Sequence, residues 1–187
     1  MDDIVIHPSS YLEEETMIDI DSAEFAAWQA RVDGVWQDRS RSDEERIERI
    51  DQLASELGDD HPVALFERAG ARDSAGHEGD AEPLYRAALA AGLDPRRRTR
   101  AVIQLASTIR NLGKIDEALA LLAAEHDLTR GGDLHDEASA FYALALASAG
   151  QPTDALAVAL SALAPHLELY RRSVTGYATE LREGSSD

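Results

Sequence analysis

The chain has no cysteine among its 187 residues. That excludes a disulfide framework, a thiolate zinc module and a thiol nucleophile. Lysine is almost missing too: of 18 basic residues only Lys114 is a lysine. Aromatic residues make up 5%. No apolar run approaches the ~20 residues that a membrane-crossing helix needs. The opening Met-Asp-Asp lacks the positive start of a secretory signal, so the expected compartment is the cytoplasm and no membrane partner is expected. Neither Gly-x-Gly-x-x-Gly, a Walker loop, Gly-x-Ser-x-Gly nor His-Glu-x-x-His occurs. The six histidines (His7, His61, His77, His126, His135 and His166) show no metal-ligand spacing on one helix face. Catalytic residues, a metal site and a cofactor are therefore not assigned.

What remains is ordinary for a folded domain: 44% hydrophobic and 29% charged residues, enough for a core. The formal net charge of −18 disfavours nucleic acid, whose phosphates call for Lys and Arg. The charge is uneven. Residues 1–60 carry 18 acids and 5 bases, residues 61–187 carry 18 acids and 13 bases. Glu13, Glu14 and Glu15 with Asp19 and Asp21 form an acidic run, either a solvated tail or a contact. Arg96, Arg97, Arg98 and Arg100 crowd one helix start, where positive charge opposes the helix dipole. They neutralise the chain's own acids, hold an anionic ligand or, against the overall charge, contact nucleic acid.

The strongest signal is a repeat. Gly76, Gly113 and Gly150 lie 37 residues apart, as do Ala81, Ala118 and Ala155, and Ala69, Ala106 and Ala143. Each unit reads as an apolar helix, a glycine able to take a left-handed backbone, and a second helix that starts near the alanine five positions on. The expected helix pairs are 61–75 with 77–92, 96–112 with 114–127, and 134–149 with 152–164. Pro62, Pro95 and Pro152 fall in first turns, where proline is tolerated. Before these, 22–38 reads as a helix opened by Ser22, with Phe25, Trp28, Val32 and Val35 on one face. Ser42 and Glu45 form a capping box for the next helix, striped by Ile47, Ile50, Leu53 and Leu57. Arg68 and Arg72 look toward Glu45, Glu48 or Asp51 as partners. A closing helix over 166–183 carries Leu167, Leu169, Tyr170, Val174, Tyr177 and Leu181. Ile4, Val5 and Ile6 could pair as a strand or lie extended.

These columns resemble the tetratricopeptide repeat (TPR). The small positions match in all three units. Trp28 falls in the column of Leu65 and Val102, where the family favours tryptophan. Tyr85 fits the second-helix aromatic, while Leu122 and Ala159 replace it elsewhere. Glu125 departs from an alanine position that Ala88 and Ala162 keep. Ala101 to Thr108 and Asn111-Leu-Gly also resemble small bacterial TPR proteins. The resemblance implies an all-α, right-handed superhelix of antiparallel helix pairs with about nine helices. It divides the chain into an acidic segment at 1–20, a degenerate leading pair or cap at 21–60, three units at 61–164, a capping helix at 165–183 and a tail at 184–187.

The resemblance also implies a concave groove lined by the first helix of each unit. Its columns hold Phe66, Gly70 and Asp73 in unit one, with Val63, Glu67 and Ser74. Unit two supplies Arg100, Ile103, Gln104, Ser107, Arg110 and Asn111. Unit three supplies Phe141 and Leu144, with Glu137, Ala140 and Ser148. Gln104, Ser107 and Asn111 share one helix face and form, with the two arginines, a donor set suited to a peptide backbone or carboxylate. The family's carboxylate-clamp form uses a Lys/Asn set, and only Asn111 matches, so a chaperone tail is not implied. The expectation is a non-catalytic module that binds a protein or peptide segment, acidic or carboxylate-bearing. The alternatives are a self-associating structural protein, a homodimer included, whose N-terminal segment docks on itself or a neighbour, and a small-molecule binder using the polar middle helix.

Overall fold

The computed structural model describes residues 22–184. The acidic run and Ile4-Val5-Ile6 lie outside the described residues. Within them are nine α-helices and no strand: α1 (Ala23–Gln37), α2 (Asp43–Ser55), α3 (Pro62–Ser74), α4 (Glu78–Ala91), α5 (Pro95–Asn111), α6 (Ile115–Leu128), α7 (His135–Ser148), α8 (Pro152–Leu163) and α9 (Arg171–Gly184), with a 3-10 turn at Ala164–His166 before α9. Successive helices pack as antiparallel neighbours, each against the next along the chain. The result is an all-α solenoid.

Local chemistry explains the boundaries. Ser22 accepts from the Phe25 amide and so caps α1. Ser42 and Glu45 exchange side-chain to backbone bonds of 3.2 and 2.9 Å, the reciprocal capping box expected there. Pro62, Pro95 and Pro152 each occupy a first helical turn. Gly76, Gly113 and Gly150 sit at φ of 76°, 83° and 77°. That is the left-handed region an L side chain resists, so each glycine ends the first helix of its unit. The alanines of both small columns are buried: Ala69, Ala106 and Ala143 on the first helices, Ala81, Ala118 and Ala155 on the second.

Two main clusters form the core. Phe25, Trp28, Val32 and Val35 of α1 pack with Ile50, Leu53 and Leu57 and with Val63, Ala64 and Ala71 of α3. Trp28 is buried there and donates from Nε1 to the Leu53 carbonyl at 2.7 Å. The second cluster runs from Phe66 and Ala69 through Tyr85, Ile103, Ala106 and Ile109 to Leu122 and Ala145.

The C-terminal end differs from the expected helix over 166–183. The segment starts as a 3-10 turn, Tyr170 takes a left-handed φ of 65°, and α9 begins only at Arg171. Ala178 is its one buried residue, with Val174 and Leu181 half-buried. Leu169 and Tyr177, expected to help close the stack, are 70% and 61% exposed. Among the described residues no helix is long and apolar enough to cross a membrane.

Candidate functional site

The first helices of the units lie on the inner side of the curve. α3 approaches α5 and α5 approaches α7, whereas α4, α6 and α8 make no close backbone approach to one another. α1 joins this inner row through side chains. Trp36 donates from Nε1 to Glu67 Oε2 at 2.9 Å, and Arg97 of α5 donates to Gln29 Oε1 at 2.8 Å while its guanidinium lies over the Phe25 ring.

The acids of this face on α3 are already engaged by the fold. Glu67 is buried, and burial pushes its carboxyl pKa up against the lowering effect of the Trp36 hydrogen bond and the Arg100 and Arg97 charges. Asp73 accepts from Thr108 Oγ1 at 2.8 Å and from the Tyr85 hydroxyl at 3.3 Å. Burial raises its pKa, and those two hydrogen bonds pull the other way. The same surroundings drive the Tyr85 hydroxyl well above its ordinary value, with burial the largest cause and the Asp73 charge next. Asp73 thus braces α3 against α4 and α5. A methyl added at Gly70 would meet the Trp36 ring at 3.5 Å, an ordinary contact, so this glycine is not demanded by space.

The other expected groove residues divide by exposure. Phe66 and Ile103 are buried and act as floor rather than as open surface. The Phe66 ring carries the Arg100 guanidinium at 5.1 Å. Gln104 and Ser107 are half-buried, Arg100 and Asn111 exposed. Gln104 Oε1 is buried without a hydrogen-bond partner. Arg110 donates to Asn111 Oδ1 at 3.3 Å. Phe141 is half-buried, and Leu144 is exposed on α7.

The arginine cluster at the start of α5 is mostly internal wiring. Arg96 pairs with Asp133 at 3.2 Å, Arg97 with Asp94 at 2.7 Å, and Arg98 with the buried Glu125 at 2.6 Å. Thr99 adds a hydrogen bond to Glu125 at 2.7 Å. Of the partners expected for Arg68 and Arg72, Asp51 serves both, at 3.7 and 2.9 Å, and Arg68 also reaches Asp59 at 2.8 Å. Glu45 is instead engaged in its cap. Glu48 accepts from Gln52.

Sequence reasoning passed over Glu67 as a buried acid and missed its partner Trp36. The signal was present: Glu67 stands between Phe66 and Ala69 on an apolar stripe, where an acid needs an internal donor. Also unforeseen is a cavity of about 280 Å³ among α6, α7 and α8, lined by His126, Tyr142, Leu146, Asp154 and Val158 among others. The His126 ring stands 4.9 Å from that of His135 and 5.2 Å from that of Tyr142. Burial, and then the neighbouring His135, lower its pKa. Among the described residues no group of acids and histidines is arranged to hold a metal.

The family described as Tetratrico peptide repeat matches residues 62–181, more than half of the chain. A crystal structure described as Podosopora anserina putative kinesin light chain nearly identical TPR-like repeats superposes with a TM-score of 0.58 at 14% identity, over 87% of this chain and 96% of that one. That likeness speaks for the fold alone. Among curated proteins no sequence matches. Repeats of this kind generally mediate protein–protein contact as non-catalytic scaffolds. From glycine-punctuated helix pairs, alanine columns and the family match together, the chain belongs to the tetratricopeptide-repeat family.

Proposed function

We infer that this protein is a non-catalytic module that holds a segment of another protein, acidic or ending in a carboxylate, against the inner face formed by α3, α5 and α7. One observation carries the reading. At the start of α5, Arg96, Arg97 and Arg98 each have a carboxylate partner. Arg100 and Arg110, on the inner face, have none within 4.0 Å among the described residues. They stand ten residues apart, about 15 Å along the helix axis, with Gln104, Ser107 and Asn111 between or beside them. In a chain of net charge −18, unspent cations mark where an anionic segment can approach. Amide side chains at Gln104 and Asn111 supply donors and acceptors for an extended backbone. Phe66 keeps the Arg100 guanidinium in place from below.

In this reading residues 21–60 cap the stack, residues 61–164 face the ligand and residues 165–183 close the other end. The test is selection from a random peptide library with the wild-type chain and with Arg100→Ala/Asn111→Ala. Wild type should enrich acidic sequences and the variant should lose that enrichment. Equal enrichment by both, or enrichment of basic sequences, would overturn the assignment.

A further inference from the structure

We propose that the exposed face of α9 is a two-fold self-association surface, on which a second copy of this chain docks its own α9 antiparallel to the first. This surface is separate from the inner face and stands whether or not that face binds peptide.

Three observations converge on it. First, α9 is covered on one side only. Ala178 is buried, and Val174 and Leu181 are half-buried, on the side facing α8. At 100° per residue the opposite side carries Arg172, Gly176, Thr179 and Glu183, all exposed. Tyr177, 61% exposed, and Tyr170, 77% exposed, stand on the flank, with Leu163 and Leu169 also exposed nearby at the same end. Large exposed apolar side chains gathered at one end of a solenoid mark an interaction surface rather than a solvated cap.

Second, the charges of α9 complement their own reversed copy. Arg171 and Arg172 open the helix, Glu180 and Glu183 close it, and none of the four has an ion-pair partner among the described residues. Antiparallel pairing about Gly176 places Arg172 opposite the partner's Glu180. A two-fold axis at Gly176 repeats that pair, so one complementary charge placement is used twice. A β-carbon built at Gly176 meets nothing within 4 Å, so two helix backbones can approach closely at the axis.

Third, net charge selects this end. Over 166–184 the acids Glu168, Glu180 and Glu183 balance Arg171, Arg172 and Arg182. The remainder of the chain carries the whole excess of −18. Two such molecules repel over most of their surfaces, and the neutral end is where like copies can meet.

The test is the mass in solution across a concentration series, by light scattering or sedimentation, on the full chain. Wild type should approach twice the chain mass as concentration rises. Arg172→Glu and Glu180→Arg should each stay monomeric, and mixing the two variants should restore the dimer as a heterodimer. The helical dichroism of both should match wild type, because both side chains are exposed. Gly176→Arg gives a second handle. It raises helix propensity and enters open space in the monomer, yet places like charges at the axis, so it too should stay monomeric. A wild type that remains monomeric at every concentration overturns the proposal. So does a dimer that survives both charge reversals, or variants that fail to recombine on mixing.

Discussion

Replacing Arg98 by alanine should cost far more than replacing Arg96, two residues away on the same helix start. Glu125 is 1% exposed and receives hydrogen bonds from Arg98 Nη1 at 2.6 and 2.8 Å and from Thr99 Oγ1 at 2.7 Å. Arg98→Ala leaves that carboxylate with Thr99 alone. Stranding a buried charge costs about 3–5 kcal/mol in the fully enclosed case. The Arg98 side chain is 41% exposed, so water replaces part of what is lost and the expected cost falls to about 2–3 kcal/mol. The Arg96–Asp133 pair is 64% and 88% exposed, and breaking it should cost roughly 0–0.5 kcal/mol. Both substitutions relieve the same unfavourable helix dipole, so the comparison cancels that effect. For a chain of this size each kcal/mol moves Tm by about 2–4 °C. Arg98→Ala should therefore melt roughly 4–12 °C below wild type by circular dichroism, and Arg96→Ala close to it. Arg98→Met with Glu125→Leu should recover most of the loss, since an apolar pair removes the buried charge with its partner. Equal melting of the two single variants would refute the claim that Glu125 depends on Arg98.

Two further outcomes follow from the core. Ala106 is fully buried where α5 meets its neighbours. Ala106→Leu should overpack that contact and cost roughly 1–3 kcal/mol by urea unfolding. An unchanged midpoint would remove the small-residue columns as packing devices. Burial raises the folded pKa of Glu67 above its unfolded value. Ionisation therefore costs the fold stability as pH rises from the unfolded to the folded pKa, and the cost is complete above the folded value. Glu67→Gln does not ionise and can still accept from Trp36. It should gain on wild type as pH rises from about 4, near the ordinary glutamate value, to about 8, and a Tm difference flat over that range would contradict the assignment.

The parts of this structure that were legible in the sequence are those set by local requirements. Gly113 must take a positive φ, Ser42 must cap with Glu45, and Ala118 must let a helix approach. Each demand acts on one or two residues, and those of the glycine and alanine columns recur every 37 positions. Asp51 as a partner for Arg72 was legible because the two helices are neighbours along the chain. The pairing of Arg98 with Glu125 was half legible: Glu125 breaks an alanine column, and the break coincides with a cation brought from the preceding helix. Trp36 with Glu67 was not, because it joins helices that are not consecutive. The late start of α9 was hidden for another reason. Tyr170 takes a left-handed backbone that no residue type announces. On the inner face the column positions were legible, but not which of them the fold had spent. Asp73 has the polarity of a ligand contact, yet Tyr85 and Thr108 already occupy its carboxylate.

The most direct measurement of the central claim is amide hydrogen exchange on the full chain, with and without a saturating acidic peptide taken from the library selection. Added protection should be confined to α3, α5 and α7, with the largest change around Arg100 to Asn111, and that footprint should be lost in Arg100→Ala/Arg110→Ala. Protection falling instead on α4, α6 and α8, or a footprint unchanged by the double substitution, would contradict that claim.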